Sequence, residues 1–184
     1  MIIGITGTLG SGKGEVAKYL VQKGFRHYSA RTVITEEVVR RGLPVNRDTM
    51  TVVANDMRKR DPAYPQTESY ARAMADGAEN AVFESVREVA GAEFLKKQGA
   101  VIVAIDADSH ARHQRAVARG SETDEVDFDT FVAHEKREME NADLTKQNIR
   151  KVMAMADYTL TNNGTLDELH VKIDAVLSRA QSKA

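Results

Sequence analysis

The segment Gly7-Thr8-Leu9-Gly10-Ser11-Gly12-Lys13-Gly14 narrows the choice of fold more than any other stretch of the chain. It follows a short apolar run, Ile2–Thr6, and precedes a helical stretch, Glu15–Lys23. Its spacing is Gly-x-x-x-x-Gly-Lys. Glycines let the backbone take positive φ and come close to an anion. Successive N–H groups then point inward, and the following helix offers its positive end. Lys13 adds a point charge suited to β- and γ-phosphates. A cradle for a nucleoside triphosphate is therefore expected from Gly7, Leu9, Gly10, Ser11, Gly12, Lys13 and Gly14. The residue after Lys13 is Gly14, where the general pattern has a Ser or Thr that ligates Mg²⁺, and Glu15 follows. Glu15 has two readings that stay open: a favourable charge at a helix N-terminus, or a carboxylate that helps hold Mg²⁺ through water.

The loop sits in an alternating pattern. Five β-rich runs are expected at Ile2–Thr6, Phe25–Tyr28, Ala81–Ser85, Val101–Asp106 and Tyr158–Thr161, with helical stretches between them. The first and fourth are nearly continuous apolar runs, as strands covered on both faces should be. Gly24, Gly42, Gly99 and Gly120 each close a helical stretch. Thr165-Leu166-Asp167-Glu168 has the form of a capping box before a final helix. The fold class expected is α/β, a parallel sheet with helices on both faces. Ligands in such sheets sit beyond the carboxyl ends of the strands.

The rest of the composition mainly excludes. The chain has 184 residues, suiting a single domain over 1–184. It has no cysteine, which rules out disulfides, thiolate catalysis and Cys-based zinc sites. With 26 basic and 27 acidic residues, it gives no support for binding nucleic acid or an acidic membrane. No apolar run approaches the ~20 residues of a membrane span. A soluble, cytoplasmic protein is expected. The histidines at 27, 110, 113, 134 and 170 form no pattern with acids that predicts a metal site.

Further along, Glu84-Ser85-Val86-Arg87 ends the third run, and Arg115 and Arg119 stand four apart on one helix face. With Gly12-Lys13-Gly14, these residues make the chain resemble P-loop nucleotide kinases of the adenylate-kinase type. It is more closely similar to adenylate-kinase-like and dephospho-CoA-kinase-like proteins. It also resembles the P-loop domain that precedes a deoxycytidylate deaminase in some proteins. The resemblance covers almost the whole chain and implies a three-layer P-loop fold with a five-stranded sheet in the order 2-3-1-4-5. It implies ATP and Mg²⁺ as cofactors and a small nucleotide-like acceptor, with a second copy of the chain or a deaminase-type protein as partner.

The family roles transfer residue by residue. Glu84 takes the place of the acid that holds a water of Mg²⁺, in a Glu-Ser where many relatives have Asp-Gly. Arg87 bridges donor and acceptor phosphates. Arg115 lies against the donor base and Arg119 enters a lid, reduced here to about 119–137 and completed by Arg137. Asn162 and Asn163 border the base, with Asn163 the cofactor-binding residue. Residues 28–76 form the acceptor-binding insertion. There the family's Ser/Thr-Gly-Asp entry is replaced by Ser29-Ala30-Arg31, so Arg31 and then Arg58 are the acceptor-binding residues expected. The function implied is ATP-dependent phosphoryl transfer to a (deoxy)nucleoside monophosphate-like acceptor. The alternatives are a nucleotide-binding regulatory module without turnover, and dephospho-CoA kinase-like activity.

Overall fold

The structure is a computed structural model that describes residues 1–120, 127–141, 143 and 146–182. Among these, five strands form a parallel sheet: β1 (Ile2–Gly7), β2 (Arg26–Ser29), β3 (Ala81–Glu84), β4 (Val101–Asp106) and β5 (Tyr158–Thr161). Their order is β2-β3-β1-β4-β5, as expected. The fold is that of a P-loop α/β domain.

Strand periodicity divides the core into two layers. Ile3, Ile5, Val82, Val103 and Ile105 point to one face and pack on α1 (Lys13–Gln22) and α9 (Leu166–Gln181) through Val16, Leu20, Leu169 and Ile173. Ala81, Phe83 and Ile102 point to the other face, against α5 (Val89–Lys97) and α8 (Ile149–Ala154) through Leu95 and Val152. Apolar residues on both faces explain why β1 and β4 read as continuous hydrophobic runs. Each large side chain buried this way stabilises the fold by roughly 1.5–3 kcal/mol.

Between β2 and β3 lie α2 (Ala30–Arg40), α3 (Arg47–Arg60) and α4 (Gln66–Ala75). Ile34 and Val38 of α2 pack on Met50, Val53 and Ala54 of α3, forming a small core of their own. After β4 come α6 (Ser109–Arg119) and α7 (Phe128–Met139). The Thr165/Glu168 capping box opens α9 as expected. Helices α4 and α8 were not expected from the sequence.

Register aligns the strand ends that matter. Ile5 is opposite Glu84, and Gly7 is opposite Ile105. The loop after β1 therefore rises beside the carboxyl ends of β3 and β4. Gly7 adopts φ 137°, and a Cβ there would lie 1.9 Å from the Ile105 carbonyl oxygen. Gly7→Ala should therefore lower stability by about 2 kcal/mol or more, a fall in Tm of about 6 °C, because strain and a backbone clash act together. A melt unchanged by this substitution would show that the chain leaves the strand by another path.

Candidate functional site

The loop from Gly7 to Gly12 is held from several directions. Thr8 Oγ1 donates to Asp106 Oδ1 at 2.7 Å. Asn162 Nδ2 donates to the Ser11 carbonyl at 2.8 Å. Arg112, 6% exposed, donates from Nε to the Ala107 carbonyl at 2.8 Å and from Nη1 to the Leu9 carbonyl at 3.1 Å. Its guanidinium also pairs with the Glu135 carboxylate of α7. Gly10 has φ 74°, and a Cβ there would lie 2.2 Å from the Arg112 carbonyl oxygen. The loop conformation is thus imposed by its neighbours as well as permitted by its glycines. Ser11 Oγ is buried and has no hydrogen-bond partner among the described residues.

Lys13 opens α1 and turns back under the loop. Its Nζ donates to the carbonyls of Gly7 at 3.0 Å and Thr8 at 2.6 Å. Burial, reinforced by the nearby Arg87, pulls its ammonium down to about 7. Gly14 lines the same space, and a Cβ there would meet no atom within 4 Å among the described residues.

A cavity of about 750 Å³ joins the loop to the helices α2 and α3. Lys13, Gly14 and Glu84 line it, as do Arg115, Arg119 and Leu166 and, from the insertion between β2 and β3, Arg31, Met50 and Arg58. Arg115 Nη1 donates to the Asn162 carbonyl at 2.9 Å, which fixes it beside the loop before β5 gives way to α9. Arg58 is 1% exposed and faces the buried Glu88 carboxylate at 3.5 Å. Burial raises the pKa of Glu88, and Arg58 opposes that rise.

Glu84 ends β3, where Ser85 follows in the left-handed region at φ 68°, the position of the relatives' glycine. His27 Nε2 lies 3.0 Å from Glu84 Oε2. Burial pushes the Glu84 carboxyl up, but His27, Lys13 and Arg87 together hold it below its ordinary value, so it stays ionised. Magnesium keeps several waters and asks for one or two carboxylates beside substrate phosphates. An ionised Glu84 beside the open space at Gly14 fits that demand. Glu15 also lines the cavity, but its Oε1 is paired with Lys18 Nζ at 2.7 Å. Among the described residues, no cluster of three or more His, Asp or Glu is arranged to hold a metal ion by itself.

Many expected site residues meet in this cavity: Leu9, Gly10, Gly12, Lys13, Gly14, Glu15, Glu84, Arg87, Arg115, Arg119, Arg31 and Arg58. Others do not. Arg137 is exposed on α7, and Glu138 lines the cavity in its place. The aromatic face of α7 sets this register, since Phe128 and Phe131 pack on the α6 histidines His110 and His113. Asn163 is exposed, and its Oδ1 accepts from the Asp108 N–H at 2.9 Å, so it braces the turn before α6. Asn162 holds the loop itself. Arg112, three residues before Arg115, is turned inward as a clamp. Much of the expected lid, residues 121–126, lies outside the described residues. Glu138 was missed altogether, and Arg47 was not singled out within the insertion of residues 28–76, although both line the cavity.

A glycine-lysine loop, a strand-end acid and a parallel sheet in this order define a P-loop domain. A family model described as an AAA domain, AAA_18, matches residues 3–157. A UPF0200 protein of Pyrococcus horikoshii is 31% identical over 99% of this chain and 98% of its own length. The chain belongs to the AAA_18 family of AAA domains and to the UPF0200 family.

Its fold is shared with TT1252 from Thermus thermophilus, at TM-score 0.61 and 22% identity, covering 97% of each chain. It is shared with a shikimate kinase from Acinetobacter baumannii in complex with shikimate, at TM-score 0.53 and 18% identity, over 97% of this chain and 93% of that one. A dephospho-CoA kinase from Campylobacter jejuni aligns at TM-score 0.52 and 11% identity, over 97% and 96%. The likeness to a domain fused to deaminases finds no support here: the matches are to the AAA_18 P-loop family and to UPF0200 proteins. Among the described residues, no helix is long and apolar enough to cross a membrane.

Proposed function

We propose that this protein transfers the γ-phosphoryl group of Mg²⁺-bound ATP to a small, anionic, nucleotide-like acceptor. The observation that carries the reading is one cavity lined both by the lysine-bearing phosphate loop and by Arg31 and Arg58. Phosphoryl transfer needs position and positive charge more than covalent chemistry. The loop N–H groups and Lys13 bind the donor phosphates. Arg87, which lines the same cavity, bridges donor and acceptor, and Arg119 approaches from α6. Arg115 borders the donor base. Glu84 would hold Mg²⁺ through water, and the ion would neutralise charge between the phosphates. The acceptor's own oxygen attacks, so no nucleophile is required of the chain. The alignments to a shikimate kinase and a dephospho-CoA kinase support the reaction type but leave the acceptor open, because one fold serves unrelated acceptors.

Release of ADP should be followed with a panel of nucleoside monophosphates, deoxynucleoside monophosphates and dephospho-CoA. Turnover with at least one acceptor, well above the rate without it, is the expected result. Slow hydrolysis alone would remove the kinase reading. A second reading, a nucleotide-binding regulatory module, draws on Gly14-Glu15, where no hydroxyl is available for Mg²⁺. Tight nucleotide binding with no transfer to any acceptor would favour it.

A further inference from the structure

Glu138 has no place in the roles above, yet it lines the cavity. It stands near the end of α7, and its side chain is 12% exposed. One carboxylate oxygen, Oε1, accepts from Arg47 Nη2 at the start of α3. The other, Oε2, accepts from Arg87 Nη1, just after β3, at 2.7 Å. Gln147 Oε1 is 3.5 Å from the same Arg87 nitrogen. All four residues line the cavity that contains Lys13.

Two guanidinium groups from separate elements, converging on one oxyanion, make the geometry by which proteins hold phosphate or carboxylate ligands. The oxyanion seated here belongs to the protein. Burial pushes the Glu138 carboxyl up, but Arg87 and Arg47 outweigh it and hold the group below its ordinary value, so it is ionised at neutral pH. The helix that carries it is anchored earlier along its length, where Phe131 packs on Leu9 and Ala116 and Glu135 pairs with Arg112. Glu138 lies beyond that anchor, near the helix end, where its carboxylate can leave the arginines if another oxyanion replaces it.

We infer that Glu138 is an internal stand-in for the acceptor: Arg47 and Arg87 form an oxyanion subsite that the Glu138 carboxylate fills until an acceptor's phosphate or carboxylate displaces it. This rests on the phosphoryl-transfer reading for the word acceptor, and it adds Arg47 to the acceptor side. It also makes α7 responsive to occupancy, because the ligand that expels Glu138 frees the end of that helix to move.

The test is binding of inorganic phosphate and, separately, of acetate, measured by calorimetry on the full chain. Removing the competing charge in Glu138→Gln should tighten binding of the preferred anion by about tenfold, since the site is no longer occupied most of the time. The tightening should persist when Glu138→Gln is compared with its parent in a Lys13→Met background, which weakens the loop's own phosphate site. It should vanish in Glu138→Gln/Arg47→Met. Should that double variant fail to fold, the Lys13→Met comparison decides. Equal affinity in Glu138→Gln and its parent, for both anions, would show a permanent structural bridge and overturn the inference, while leaving acceptor turnover untouched. Tightened binding without turnover on any acceptor would keep the oxyanion subsite and discard the kinase reading.

Discussion

Lys13→Met should lower kcat/KM for phosphoryl transfer by roughly 1,000-fold, the scale seen when one preorganised donor to a developing charge is removed. The same substitution should stabilise the ligand-free protein. Burial pulls the folded-state Lys13 down to about 7, whereas the unfolded chain keeps the ordinary value of 10.5. Below pH 7 both states hold the proton, and the folded state bears the whole penalty of a buried ammonium. Between about 7 and 10.5 the unfolded state binds more protons than the folded state, so stability rises with pH. The thioether introduced by Lys13→Met does not titrate. The variant's stability advantage over the parent should therefore be largest below pH 7, on the order of 4 kcal/mol, and shrink as pH rises towards 10. Melting curves of the two proteins at pH 6, 8 and 9.5 measure this directly. A difference that stays constant with pH would mean that Lys13 is charged throughout. The same cause predicts that triphosphate binding at pH 8 takes up a proton, seen as a binding heat that depends on the buffer's ionisation enthalpy. Phosphate charge supplies what the cavity lacks and returns Lys13 to its ammonium form.

The parts of the site that could be read from the sequence are those fixed by local constraints. Gly7 to Lys13 is a stretch whose glycine spacing permits the cradle's backbone shape, and the strand and helix on either side reinforce it. Glu84 and Arg87, singled out through the family resemblance, line the cavity at the end of β3, where strand ends in a parallel sheet point at a ligand. What could not be read depended on the rotation of helices. Arg137 and Glu138 are adjacent, about 100° apart on α7, and the choice between them follows from which face Phe128 and Phe131 bury. The signal was present, since Phe128, Phe131, Glu135 and Glu138 recur at steps of three and four along one stripe. Arg112 shows the same limit. It is three residues before Arg115 and reads as part of one basic face, yet it is buried against the Leu9 and Ala107 carbonyls. Only the folded loop creates those partners. Helix α4 follows two prolines, Pro62 and Pro65, and its buried residues include Gln66 and Ser69, so its apolar stripe is weak. Helix α8 has six residues, too few for a period to show.

Arg112 carries the second large effect expected. It is buried, it donates to two backbone carbonyls and to Glu135, and it lies 5.8 Å from the Phe131 ring centroid. Arg112→Met should strand the Glu135 carboxylate and leave the Leu9 and Ala107 carbonyls without this donor. Breaking one side of a buried ion pair costs about 3–5 kcal/mol, here a fall in Tm of about 12 °C. Nucleotide affinity should fall as well, because Leu9 belongs to the phosphate loop and Arg112 holds its carbonyl away from the anion. The two consequences have separate causes and can be separated. Replacing both charges, in Arg112→Met/Glu135→Leu, removes the stranded carboxylate and should recover much of the melting temperature, as apolar replacement of buried pairs often does. It does not restore a donor for the Leu9 carbonyl, so triphosphate affinity should stay low. If stability and affinity recovered together in the double variant, Arg112 would matter only as the partner of Glu135, and the loop would hold its shape through Thr8, Asn162 and its own glycines.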